Sequence, residues 1–133
     1  MYINEDSTIG MMQSGDANMV IQESPNFHYI YPKDGAIIWE DNMVIPAHAP
    51  HLENAYQFIN FVLEPEIAKK ISLSVGFSTP NLKAIELMSK KDQENRVINP
   101  STADLKNAEV EGDVGKAAKK YYYQYWELLK LGV

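Results

Sequence analysis

The chain has 133 residues, 45% of them hydrophobic and 23% charged, with seven Gly and seven Pro, which is ordinary for a globular domain with a core of its own. A formal net charge of −6 argues against a nucleic-acid groove and mildly favours a cationic ligand. Cysteine is absent, a condition met both by exported proteins without disulfides and by reduced cytosolic ones, so it leaves the compartment open.

No stretch approaches the roughly 18 continuous apolar residues of a membrane span, and no basic-then-apolar signal peptide opens the sequence. Met1 leads directly into "YINEDSTIGMM", which reads as the interior of a domain, so a piece of a longer protein is expected. "STIGMMQ" (7–13) is a short apolar run suited to a buried strand, and "SGDANMVIQES" (14–24) follows with Ser and Asp near a helix start. "FHYIYP" (27–32) alternates and predicts a second strand, ended by Pro32. After a turn at 32–35, "DGAIIWEDNMVIP" (34–46) predicts a third extended segment, stopped at Pro46.

From His51 the period changes. Leu52, Ala55, Tyr56, Ile59, Val62 and Leu63 recur at three- and four-residue steps, the stripe of an amphipathic helix. Pro65 suits a first helical position, and "EIAKKISLSV" (66–75) predicts a second helix closed by Gly76. "STPN" (78–81) is a turn, "LKAIELMS" (82–89) a short helix, and residues 90–112 are polar and weakly patterned. The last segment, 113–132, predicts a long helix with Asp113 near its start and Gly132 near its end. Strand, helix and strand in front with helices behind indicate an α/β fold.

The third extended segment carries the most chemistry. In an extended chain, residues two apart face one side, so Trp39 and Asp41 project together and Glu40 opposes them. An indole face beside a carboxylate suits an alkylammonium group, through cation–π attraction of about 0.5–2 kcal/mol and a charge-assisted hydrogen bond. The competing reading is a core tryptophan next to solvated acids, and composition alone favours it. "QSGDA" (13–17) offers similar chemistry at a strand-to-helix turn, where Asp16 either caps the helix or faces a ligand; capping is the commoner job. In "YYYQYW" (121–126), Tyr122, Trp126 and Leu129 share one helical face and Tyr121, Tyr125 and Leu128 an adjacent one. Paired tyrosines can hold ferric iron, but core packing is the better reading of a helical pattern. His48 and His51 flank Pro50 with no Cys or third His nearby, so no metal site is expected. There is no phosphate-cradling Gly loop, nucleophile elbow or His/Ser/Asp constellation, so neither catalysis nor a cofactor is expected.

Several stretches together resemble one family. Residues 34–84, with "INFVLEPEIA" and the "GFSTPN" turn, residues 98–132 with the Tyr-rich helix, and "GMMQSGDANMV" (10–20) are similar to the C-terminal half of the substrate-binding proteins of bacterial spermidine/putrescine ABC transporters. The resemblance implies a periplasmic-binding-protein-like (type II) α/β fold with polyamine between two lobes. It places residues 1–40 in the second lobe, 41–107 in the first, and 108–133 back in the second, with a hinge crossing at Trp39–Asp41. Trp39 and Asp41 match the family's aromatic-x-Asp pair, which stacks on and neutralises the polyamine. Asp16 matches an acidic ligand position of the putrescine-specific branch, and Glu111 a polar, often Gln, ligand contact. Gln13 departs from the pattern, since the family commonly has Trp or Tyr there. The implied partners are spermidine or putrescine and the permease subunits of an ABC transporter, with no nucleic acid. The implied location is the periplasm or the outer face of the cytoplasmic membrane. Alternatives are a binder of another amine or of ferric iron, or a permease-fused or detached lobe acting as an interaction module. A piece cut this way would expose surfaces meant for other strands, so self-association is expected.

Overall fold

The computed structural model describes residues 8–132. In chain order the elements are helix α1 (Ser14–Glu23), strand β1 (Ile37–Ile38), helices α2 (Leu52–Leu63), α3 (Pro65–Val75), α4 (Leu82–Glu86) and α5 (Lys90–Gln93), strand β2 (Glu109–Val110) and helix α6 (Gly115–Leu131).

Local rules account for the helical unit α2–α3–α4. Helix α2 stops where Glu64 takes up extended dihedrals, and Pro65 opens α3 at a position whose N–H has no intrahelical partner to lose. Gly76 closes α3 in the left-handed region at φ 74°, and its N–H donates to the Ser72 carbonyl at 2.9 Å. The buried Ser72 donates its hydroxyl to the Phe77 carbonyl at 2.5 Å and so directs the chain out of the helix. Asn81 serves two helix ends: its Oδ1 accepts from the Ala84 N–H at 3.2 Å, and its Nδ2 donates to the Leu63 carbonyl at 2.8 Å.

Helix α1 packs on this unit by close backbone approach. The Phe77 ring covers the buried Gly15 so tightly that a Cβ there would overlap it. A Cβ on Gly76 would in turn lie 3.0 Å from the Gly15 carbonyl oxygen. Two glycines therefore let the start of α1 abut the end of α3. Beside them Asn95 donates to Oδ1 of the buried Asn18 at 2.9 Å. The buried apolar residues are Ala17, Ala68, Ala84, Met88 and Ile98, mostly small side chains that permit such contacts.

Strands β1 and β2 pair in parallel, Ile37 with Glu109 and Ile38 with Val110, as a two-stranded sheet. The strands expected at 7–13 and 27–32 are not formed: Ser7 lies outside the described residues, and 8–13 and 27–32 have no ladder partner among them. Tyr29 and Tyr31 keep the period of an extended chain, with rings edge-to-face, centroids 5.1 Å apart at 88°. Apolar or alternating side chains do not complete a strand; neighbouring N–H and C=O groups do. The segment 34–46 likewise pairs only at Ile37–Ile38, while α5 and β2 form inside the stretch expected to be weakly structured. Helix α6 also differs from expectation. Its Tyr121, Tyr122, Tyr125 and Trp126 were expected to pack in a core, yet each is more than half exposed.

Two consequences can be measured. Gly15→Ala should lower stability by about 1–3 kcal/mol in urea unfolding, because the added methyl meets an aromatic ring in a closed contact. The Tyr31 hydroxyl donates to the Val97 carbonyl at 3.0 Å. Burial, then Tyr29 and Asp104, push its pKa from 10.0 up to about 12 against the opposing Arg96. The folded state favours the neutral phenol, so this stabilisation is complete below pH 10.0 and lost as pH rises through about 12. Urea midpoints should fall across that window. Tyr31→Phe should flatten this part of the curve while costing about 0.5–1.5 kcal/mol for the hydrogen bond.

Candidate functional site

The five sequence-predicted site residues fall into two groups. Gln13 is the N-cap residue of α1, with φ −67° and ψ 148°; its carbonyl accepts from the Ala17 N–H at 2.9 Å, but its side chain makes no cap bond. Asp16 lies in the first turn of α1 and is exposed. The contacts of this end of the helix run to Gly76 and Phe77, so both residues sit on the rigid helical unit.

Trp39 and Glu111 form the second group, set side by side by the parallel pair, with Asp41 two residues past Trp39. The Glu109 N–H donates to the Ala36 carbonyl at 2.9 Å, and the Glu111 N–H to the Ile38 carbonyl at 2.7 Å. The register that sets Ile38 beside Val110 carries Trp39 on toward Glu111, at the C-terminal end of both strands. Trp39 is 42% exposed, and Asp41 and Glu111 are exposed, so an indole face and two carboxylates are open to solvent at one end of the sheet. The pairing rests on Gly35, whose φ of 125° suits glycine and whose missing side chain leaves room for the Asn107 carbonyl. Asn107 returns the contact by donating Nδ2 to the Lys33 carbonyl at 2.7 Å.

One residue read in the sequence only as a helix start belongs to this end of the sheet. Asp113, two past Glu111, accepts from the Gly115 N–H at 2.9 Å and pairs with Lys119 at 2.8 Å. Hydrogen bonding from Lys119, then from the Gly115 N–H, holds its carboxyl below the usual range. The spacing Glu109, Glu111, Asp113 was the available signal, an acidic residue at every second position of an extended run. An alkylammonium thus already occupies one carboxylate here. Among the described residues no group of three or more His, Cys, Asp or Glu is arranged to hold a metal ion. No helix among the described residues is long and apolar enough to cross a membrane.

The model of a family described as bacterial extracellular solute-binding protein matches residues 1–97. The chain belongs to the bacterial extracellular solute-binding protein family. It is 36% identical over 131 residues to the spermidine/putrescine-binding periplasmic protein of Escherichia coli K12, covering 98% of this chain and 37% of that protein. Among solved structures, a Listeria monocytogenes protein assigned to a spermidine/putrescine ABC transporter superposes with a TM-score of 0.81 at 38% identity, over 90% of this chain and 37% of the other. The spermidine/putrescine ABC transporter substrate-binding protein of Streptococcus pneumoniae, solved with calcium and HEPES, gives 0.71 at 32% identity, over 89% of this chain and 36% of the other. The elements described above are therefore part of the type II periplasmic-binding-protein-like α/β fold expected from the sequence. The chain spans a little over a third of the length of these relatives.

The geometry of the second group hangs on Gly35. Gly35→Ala would place a Cβ against the Asn107 carbonyl and loosen the strand pair. Hydrogen–deuterium exchange should then speed up at the Glu109 and Glu111 amides by tenfold or more, with the amides of α3 unchanged.

Proposed function

We propose that this chain supplies part of the ligand site of a polyamine-binding protein, which captures spermidine or putrescine and hands it to the permease of an ABC transporter. The observation that supports this is Trp39 set beside Glu111 at one end of the β1–β2 pair, with Asp41 two residues on, in a chain 36% identical to a spermidine/putrescine-binding periplasmic protein.

The chemistry matches such a ligand. A polyamine is a row of ammonium charges joined by methylenes, so its receptor needs separated carboxylates and aromatic walls. Asp41 and Glu111 would each take an ammonium group by a charge-assisted hydrogen bond, and the indole of Trp39 would cover the methylenes and add cation–π attraction. Asp16, on the start of α1, would hold a further ammonium group. Gln13 beside it would offer an amide where a ring could otherwise stack. The segment that carries Trp39 and Asp41 is acidic as well: from Asp34 to Ala68 the chain carries six carboxylates and neither lysine nor arginine. Capture and release make no covalent bond, so the role is binding rather than catalysis. The reading places the protein in the periplasm or on the outer face of the cytoplasmic membrane. Within it, the lobe crossings fall near Trp39–Asp41 and near 108–110, where the two strands run side by side.

Calorimetry on the full-length protein with putrescine, spermidine and a ferric salt tests this. Polyamine should bind and ferric iron should not. Asp41→Asn should weaken polyamine about 10- to 100-fold, the loss of one charge-assisted hydrogen bond, and Glu111→Ala should weaken it in the same direction. Unchanged affinity in Asp41→Asn would remove that residue from the site.

A further inference from the structure

Where the chain enters the strand pair, at the end away from Trp39 and Glu111, a second cavity lies between the run into β1 and the run into β2. It has a volume of about 340 Å³, and Tyr31, Lys33, Asp104, Lys106 and Asn107 are on its wall. That volume lies within the roughly 300–1,000 Å³ of small-molecule sites. Neither Lys33 nor Lys106 has a carboxylate within ion-pair distance among the described residues. The acid on the wall, Asp104, already has its partners: Arg96 Nε donates to it at 2.8 Å, and so does the Ser101 N–H at 2.8 Å. Asn107 gives one amide N–H to the Lys33 carbonyl at 2.7 Å and has a second to offer. In a chain of net charge −6, two ammonium groups without counter-ions therefore meet at one recess.

We infer that this recess binds a small dianionic oxyanion, a phosphate group either free or carried as an ester, and that its occupation braces the β1–β2 pair. A monoanion would balance one lysine only. A phosphate group, with its second ionisation near pH ~6, can bridge both by charge-assisted hydrogen bonds. The ring of Tyr31 would give the organic part of an ester a surface to lie on. The bracing follows from chain connectivity. Lys33 leads into β1 through Gly35, whose N–H donates to the Pro32 carbonyl at 3.2 Å, while Lys106 and Asn107 lead directly into β2. Unbridged, the two ammonium groups repel each other across the cavity and work against the Asn107–Lys33 bond that joins these runs. A bridging dianion turns that repulsion into attraction. The inference stands apart from the polyamine reading, since it concerns the other end of the strands and a ligand of opposite charge.

The test is calorimetric titration of the full-length protein with inorganic phosphate, glycerol phosphate and acetate, followed by hydrogen–deuterium exchange in saturating phosphate. Phosphate should bind with a Kd of about 1 mM or below, and acetate at least tenfold more weakly. Equal affinities for phosphate and glycerol phosphate would uphold the free anion as ligand, and tighter binding of glycerol phosphate would uphold an ester. Lys33→Ser with Lys106→Ser should weaken phosphate tenfold or more. Lys33→Arg with Lys106→Arg should retain it, because a guanidinium also binds phosphate. In the unsubstituted protein, phosphate should slow exchange at the Glu109 and Glu111 amides at least threefold and leave the amides of α3 unchanged. Absence of saturable phosphate binding, acetate binding as tightly, full affinity in the double serine variant, or unslowed Glu109 and Glu111 amides would each overturn the inference.

Discussion

Two backbone hydrogen bonds, from Glu109 to Ala36 and from Glu111 to Ile38, join parts of the chain that lie far apart in sequence, and the candidate site depends on them. They align Trp39 with Glu111, bring the chain up to the start of α6, and set the direction in which that helix leaves. A parallel pair of two residues per strand is a weak unit, since such sheets gain stability from further strands and from cover on both faces. What steadies it locally is backbone fit: Gly35 makes room for the Asn107 carbonyl, and Asn107 ties back to Lys33.

The helical unit is held differently, by contacts that tolerate almost no change in volume. Gly15 under the Phe77 ring and Gly76 against the Gly15 carbonyl bring α1 and α3 within backbone distance, and the Asn18–Asn95 bond satisfies polar groups that this closeness buries. Further along, Arg96 forks onto Ser101 and Asp104, and the Asp104 carboxyl is held below its usual range by Arg96 first and by the Ser101 N–H next. The loop 95–104 thus becomes an ordered piece to which Tyr31 is tethered. Carboxylates for a ligand can then sit on a firm helix start at one place and on a sheet end at another, with their separation set by the frame.

The sequence was most legible where structure is local. The stripe of α2, Pro65 at the head of α3 and Gly76 and Gly132 at positive φ all follow from periodicity and stop residues, which act within one or two turns. Strands were legible only in part, because pairing is a property of two segments: Ile37–Ile38 pairs within the extended segment expected at 34–46. The runs at 8–13 and 27–32 have strand composition without a ladder, whereas Glu109–Val110 pairs from a polar stretch that composition alone would pass over. At the site, the Trp39–Asp41 spacing showed a pattern suited to an amine. The placing of Glu111 beside it follows from register, which no single segment encodes. For α6 the amphipathic pattern gave the helix correctly. A pattern states which face is to be buried and leaves open what buries it.

Several features of the chain share that last cause. Ile37 and Val110 are 69% and 71% exposed beside the two-stranded sheet, the stretches 8–13 and 27–32 have strand composition with no ladder partner among the described residues, and α6 turns its rings outward. Each has the composition of an element with two sides, and each has one side free. Sheet edges and apolar helix faces are costly to leave in water, so sequences carry them only where something pairs or covers them. The carboxylates of the candidate site obey the opposite rule. Asp16, Asp41 and Glu111 stand in solvent, where ionised oxygens are cheap, and they could be enclosed only together with positive charge. Exposed apolar side chains and exposed carboxylates thus meet where β1 and β2 finish and α6 begins, while Asp16 stands apart on the start of α1.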